Sequence, residues 1–116
     1  MISPTECPKW ILKAMNQLFA LKAKAKRKEF YDVIEREIEI MERQFADYGL
    51  VLHDPLGEKC PDTRTDVEVN IAGESIENLV VVEVIKPIIR LTANDDSISI
   101  STVVQKGAVV AESQPS

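Results

Sequence analysis

Between Pro8 and Gly49 the chain has neither proline nor glycine, and immediately after Gly49 its apolar residues change from a helical period to simple alternation. That switch divides the molecule into a helical half and a β half, because side chains repeat about every 3.6 residues on a helix and every two on a strand. The fold class expected is therefore α+β.

The helical half is dense in Ala, Leu, Lys, Glu and Arg, all favourable helix formers. Its second stripe is the clearer one: Ile34, Ile38, Met41, Phe45 and Tyr48 recur at spacings of four, three, four and three. Phe30 and Val33 extend it backwards, while Glu35, Glu39 and Glu42 lie off it. Gly49 follows the last apolar position, where a helix commonly ends in a left-handed residue. An earlier stripe uses Ile11, Leu12, Met15, Leu18 and Phe19, with Thr5 as N-cap ahead of Pro8. Between the stripes lies LKAKAKRKE, residues 21–29, which would interrupt the apolar face of a single straight helix. A helix hairpin breaking near residues 24–29 is expected. With no Gly or Pro there, one continuous helix is the alternative. The lysine run reads as a solvated connector, with a site for an anionic partner as its alternative.

In the β half, LVLH (50–53) reads as a short strand. DVEVNI points Val67, Val69 and Ile71 inward, and NLVVVEVIK is a longer buried strand. SISIS places Ile98 and Ile100 on one face, and ANDD (93–96) is the turn between IIRL and SISIS. AVVA (108–111) is a final strand. The division expected is a helical dimerisation region at 1–48, a small β domain at 49–112 and a disordered tail at 113–116.

Composition narrows function. The 116 residues suffice for about one domain, and 45% apolar with 28% charged residues suits a packed globular chain. The net charge of −5 opposes general nucleic-acid binding. It averages a basic segment 1–28 (+6), an acidic segment 29–47 (−5) and an acidic remainder (−6). No apolar run approaches the ~20 residues of a membrane span, and no secretory leader is evident. Two cysteines, Cys7 and Cys60, read as reduced thiols of a cytoplasmic protein.

Catalytic constellations are thin. The lone histidine, His53, stands beside Asp54, with Cys60 and Asp62 nearby, but the donors lack paired metal-ligand spacing and no phosphate-cradling loop occurs. Asp95 and Asp96 read as turn residues. No enzyme, metal or cofactor is expected, with a small enzyme built on His53, Asp54 and Cys60 as the minor alternative. The two apolar stripes exceed what a helix hairpin buries by itself. A symmetric dimer closing a four-helix bundle is expected, its interface formed by Ile11, Met15, Leu18, Ile34, Ile38, Met41 and Phe45. Helices folded back on their own sheet, in a monomer, are the alternative.

Several segments resemble one family. FADYGL (45–50) is similar to a helix end followed by glycine and a strand in GrpE, the nucleotide exchange factor of DnaK-type chaperones. DPLGEKCPDTRTDVEV (54–69) resembles that family's D-P-x-G-E-x-F-D-P-x-x-H-E-A loop through Asp54, Pro55, Gly57 and Glu58. VVEVIKPIIRL (81–91) resembles its V-V-E-V-x-x-x-G-Y-x-L strand through Val81, Val82, Glu83, Val84 and Leu91, and KGAVVA (106–111) its terminal stretch through Lys106 and Ala108. The resemblance covers about residues 9–111. It departs at Cys60 (Phe in the family), at Thr65 and Asp66 (His-Glu) and at Ile88 and Ile89 (Gly-Tyr). No counterpart of the family's long N-terminal paired helix is seen, so a compact form is implied.

The resemblance implies a homodimer that binds the nucleotide-binding domain of a DnaK-type chaperone and levers its cleft open so that ADP leaves, without a catalytic residue. Contacts are implied at Asp54, Pro55, Gly57 and Glu58, with Lys86 and Arg90 on the neighbouring strand. A dimeric interaction or assembly module with this fold but no exchange activity is the alternative.

Overall fold

A computed structural model describes residues 7–95 and 98–115. Two helices are followed by six strands: α1 (Lys9–Arg27), α2 (Tyr31–Asp47), β1 (Leu50–His53), β2 (Val67–Ala72), β3 (Leu79–Lys86), β4 (Ile88–Asp95), β5 (Ile98–Gln105) and β6 (Gly107–Ser113). The α+β class is thus observed. The strands form two three-stranded sheets, ordered β1-β4-β5 and β2-β6-β3. The chain divides into two compact units: Met1–Leu52 with Ile89–Val104, and His53–Ile88 with Gln105–Ser116. The helices therefore share a unit with β1, β4 and β5, a partition that differs from the expected boundary at residue 48.

The break between the helices lies at Lys28–Phe30. Phe30 N–H donates to the Ala25 carbonyl (3.0 Å) and Glu29 N–H to that of Lys26 (3.4 Å), with Glu29 at φ +61°. This is a Schellman closure with glutamate in the left-handed position that glycine usually fills. Lys26 sits 5.0 Å above the Tyr31 ring, and Lys22 reaches from α1 to Glu42 on α2 at 3.2 Å. That half-exposed pair contributes only tenths of a kcal/mol. Helix α1 begins after Pro8, whose carbonyl receives the Ile11 N–H. The expected cap Thr5 lies outside the described residues.

The core of the first unit joins Ile11 and Met15 of α1 to Leu50 of β1 and Ile89 and Leu91 of β4, with Leu12, Phe45, Leu52 and Val104 packed around them. The α1 stripe is therefore buried on the sheet of its own chain. Gly49 makes the turn from α2 into this sheet. It adopts φ +83°, its N–H donates to the Ala46 carbonyl, and its carbonyl receives the Thr92 N–H at 2.7 Å. A Cβ at this position would stand 2.4 Å from the Thr92 carbonyl oxygen.

In the second unit, β6 is central, parallel to β2 and antiparallel to β3. The parallel register pairs Val67 with Gly107, Val69 with Val109 and Ile71 with Ala111. Two bulges interrupt β3, at Val82 and Ile85, so that Val81 and Val84 stay opposite Ala111 and Val109. A bulge adds one residue to one strand and restores the inward face beyond it.

Several expectations are corrected here. Ile11, Met15, Leu18 and Ile38, expected at a dimer interface, are buried within the single chain, whereas Ile34, Met41 and Phe45 are half-buried. Val67 is buried, but Val69 and Ile71 are exposed, as are Ile98 and Ile100. Strand β3 buries only Val81 of its inner residues, and Val82 and Ile85 face solvent. The first three residues of ANDD belong to a strand, because β4 continues through Asp95; Asp96 lies outside the described residues. The tail is not loose at its start: β6 includes Ser113, and Gln114 exchanges hydrogen bonds with Asn78.

The two left-handed positions predict opposite responses. Gly49→Ala combines backbone strain with the Thr92 clash and should cost more than about 2 kcal/mol. Glu29→Gly relieves a strained residue in open solvent and should stabilise by about 1 kcal/mol. Thermal unfolding of the two variants checks both signs.

Candidate functional site

The segment between β1 and β2 holds the motif residues, and its turns are built by the chain locally. Asp54 Oδ1 accepts the Leu56 N–H at 3.1 Å, and the Pro55 carbonyl accepts the Glu58 N–H at 3.0 Å. Gly57 takes φ +84°, at the third position of that four-residue turn, where a type II geometry needs glycine. Pro55 fixes the entry and is fully buried.

From Gly57 to Cys60 the loop runs along the outer edge of β3. Gly57 N–H donates to the Val81 carbonyl, Val81 N–H to that of Glu58, and Cys60 N–H to that of Leu79, each at 2.9 Å. Lys59 forms an antiparallel bridge with Val80. These bonds satisfy edge groups of β3 and fix the loop on a rigid sheet.

Side chains complete the clamp. Glu58 is held by His53 Nε2 at 2.7 Å and by Arg64 Nη2 at 2.8 Å. Arg64 also bonds Asp66 (Nε to Oδ1, 2.6 Å) and the Lys59 carbonyl (3.1 Å). One guanidinium thus ties both ends of the loop, as its planar fork of donors allows. Burial pushes the Glu58 carboxyl up, but hydrogen bonds from His53 and Arg64 outweigh it and hold the group below its ordinary range. Asp66, and secondarily Glu58, favour the charged form of Arg64 and hold its pKa above the ordinary arginine value against burial.

The expected contact residues fall into different settings. Asp54 and Gly57 are exposed, Glu58 is half-buried, and Pro55 is buried, so the proline shapes the turn and presents no contact surface. Lys86 is exposed at the end of β3, whereas Arg90 is half-buried on β4, in the other compact unit. They share no strand, contrary to expectation. Leu56, at the loop tip, is 58% exposed and was not singled out by sequence, nor was Arg64.

The residues of the alternative catalytic grouping have partners or settings of their own. His53 contacts Glu58, Asp54 caps the Leu56 amide, and Cys60 is buried, its thiol pushed up by burial. No group of three metal-type side chains gathers among the described residues. Both cysteines are free thiols. The departures from the family pattern are also placed: Ile88 and Ile89 are fully buried, Thr65 is exposed, and Asp66 is engaged by Arg64. No known protein family, curated protein or solved structure matches the chain.

The Glu58 clamp carries a pH dependence. Its carboxyl is depressed in the folded protein, so its stabilisation is present above the ordinary glutamate range and is lost as pH falls through the lower folded value. Glu58→Gln should unfold at lower temperature than wild type at neutral pH, and the two melting curves should converge in acid.

Proposed function

We propose that the chain is a GrpE-like co-chaperone that binds the nucleotide-binding domain of a DnaK-type chaperone and promotes ADP release. The observation that carries this reading is the D-P-x-G-E loop itself: its motif residues form a turn pinned to β3, with Asp54, Leu56 and Gly57 turned to solvent. A loop ordered before binding loses little conformational entropy on docking, so more of its contact energy is available to separate the partner's states. The mechanism needs no group that reacts. The factor binds the open nucleotide cleft more tightly than the closed one, and a 100-fold bias toward opening requires about 2.7 kcal/mol of differential affinity.

Leu56 supplies the apolar anchor of this contact, flanked by Asp54 and Glu58. Pro55 acts through the turn it holds. Lys86 belongs to the same unit and adds a positive charge, and Arg90 is left out of the docking surface. The chain works in the cytoplasm, where its partner resides; no described helix is long and apolar enough to cross a membrane.

Release of labelled ADP from a DnaK-type chaperone of the same organism tests the reading. Saturating protein should accelerate release, and Leu56→Asp should weaken that effect about 10-fold or more while leaving the melting temperature unchanged. Binding without acceleration would favour the second reading, a dimeric interaction module, which is motivated by the departures at Thr65, Asp66, Ile88 and Ile89. No binding at all would remove both chaperone contact and exchange.

We further propose a homodimer through the helices, using the face that is still open. Trp10 (67% exposed), Val33 (78%) and Tyr48 (73%), with Leu21 and Ile40, are large apolar side chains that the helices leave exposed, and Trp10 and Tyr48 line one cavity. Two copies joined along this face would make a four-helix bundle. Ile40→Glu should yield a folded monomer by light scattering, whereas Ile38→Glu, at a fully buried position, should unfold the chain.

A further inference from the structure

The sheet β2-β6-β3 is treated differently at its two edges. The β3 edge carries Gly57–Cys60, while β2 is the terminal strand on the other side, with β6 as its neighbour. Gly107 N–H donates to the Asp66 carbonyl, and the parallel register pairs Val67 with Gly107. In a parallel ladder that phase turns the backbone groups of Glu68 and Asn70 toward β6 and those of Val69 and Ile71 outward. The side chains of the same two residues line a cleft of about 600 Å³ between Lys59–Arg64 and Ile76–Leu79. Val69 is 38% exposed, Ile71 44% and Ile76 72%, so an apolar floor adjoins an open strand edge.

Charge identifies what fits. Between Arg64 and Lys86 there are five acids, Asp66, Glu68, Glu74, Glu77 and Glu83, and no base. A second copy of β2 would bring these acids against their own kind. We propose that the β2 edge binds an extended segment of another protein in which apolar and basic residues alternate. Its main chain pairs with Val69 and Ile71, its apolar side chains enter the cleft, and its basic ones meet Glu68, Glu74 and Glu77, since Asp66 is already engaged by Arg64. Strand addition of this type takes affinity from backbone hydrogen bonds and specificity from alternate side chains. This surface is separate from the Asp54–Glu58 turn and does not rest on the chaperone reading.

The test uses the full chain and a fluorescent, end-blocked synthetic hexapeptide, Lys-Val-Lys-Ile-Lys-Val, titrated by anisotropy with amide shifts followed by NMR. Saturable binding is expected, with shifts confined to residues 59–64, 67–72 and 76–79. Methylating the amide nitrogens of the peptide's edge-facing residues removes its donors and should weaken binding about 10-fold or more. Val69→Pro, which removes an outward donor and leaves the β6 ladder intact, should do the same in a chain of unchanged circular dichroism. Replacing the peptide's lysines by glutamates should abolish binding. Equal binding of the methylated or glutamate peptide, shifts elsewhere, or no binding at millimolar peptide overturns the proposal. So does a dimer by light scattering that Val69→Pro dissociates, since a second copy would then occupy the edge.

Discussion

A three-stranded sheet leaves two rows of backbone donors and acceptors at its margins, and this chain covers the first part of one of them from within. The Gly57–Cys60 segment bonds to Leu79 and Val81, closing the β3 side where that strand begins. Much of the second unit follows from that closure. It orients the Asp54–Glu58 turn, places Glu58 between His53 and Arg64, and buries Pro55 and Cys60. The β2 side receives no such cover, and the acids around it guard against self-pairing as they would select a basic partner.

In the first unit the governing constraint is burial of the α1 stripe. Ile11 and Met15 pack on Leu50, Ile89 and Leu91, so the residues that looked like a dimer seam form the core of the chain's own fold. Gly49 makes this possible, since only a residue without Cβ can turn α2 into β1 while its carbonyl accepts the Thr92 amide. What is left for a partner is a second, outward helical face marked by Trp10, Val33 and Tyr48.

The order of elements was legible because hydrophobic period distinguishes helix from strand, and every segment read as a strand is one. The inter-helix break carried no glycine signal, because Glu29 occupies the left-handed position. Alternation correctly placed Val69 and Ile71 on one face with Val67, yet a period names a face and does not say whether anything covers it. The bulges at Val82 and Ile85 change the phase inside β3, which a run of valines conceals. The turn motif was visible residue by residue. Its support was not: Arg64 stands in an ordinary charged stretch, DTRTD, and only the fold brings it to Glu58, Asp66 and the Lys59 carbonyl.

Amide hydrogen exchange, read residue by residue in the free protein, tests the contrast between the two edges most directly. Gly57, Cys60 and Val81, whose N–H groups bond across the β3 edge, should be protected, while Val69 and Ile71 on the β2 edge should exchange orders of magnitude faster. Rapid exchange at Gly57, Cys60 and Val81, or protection of Val69 and Ile71, would contradict a sheet closed on one side and open on the other.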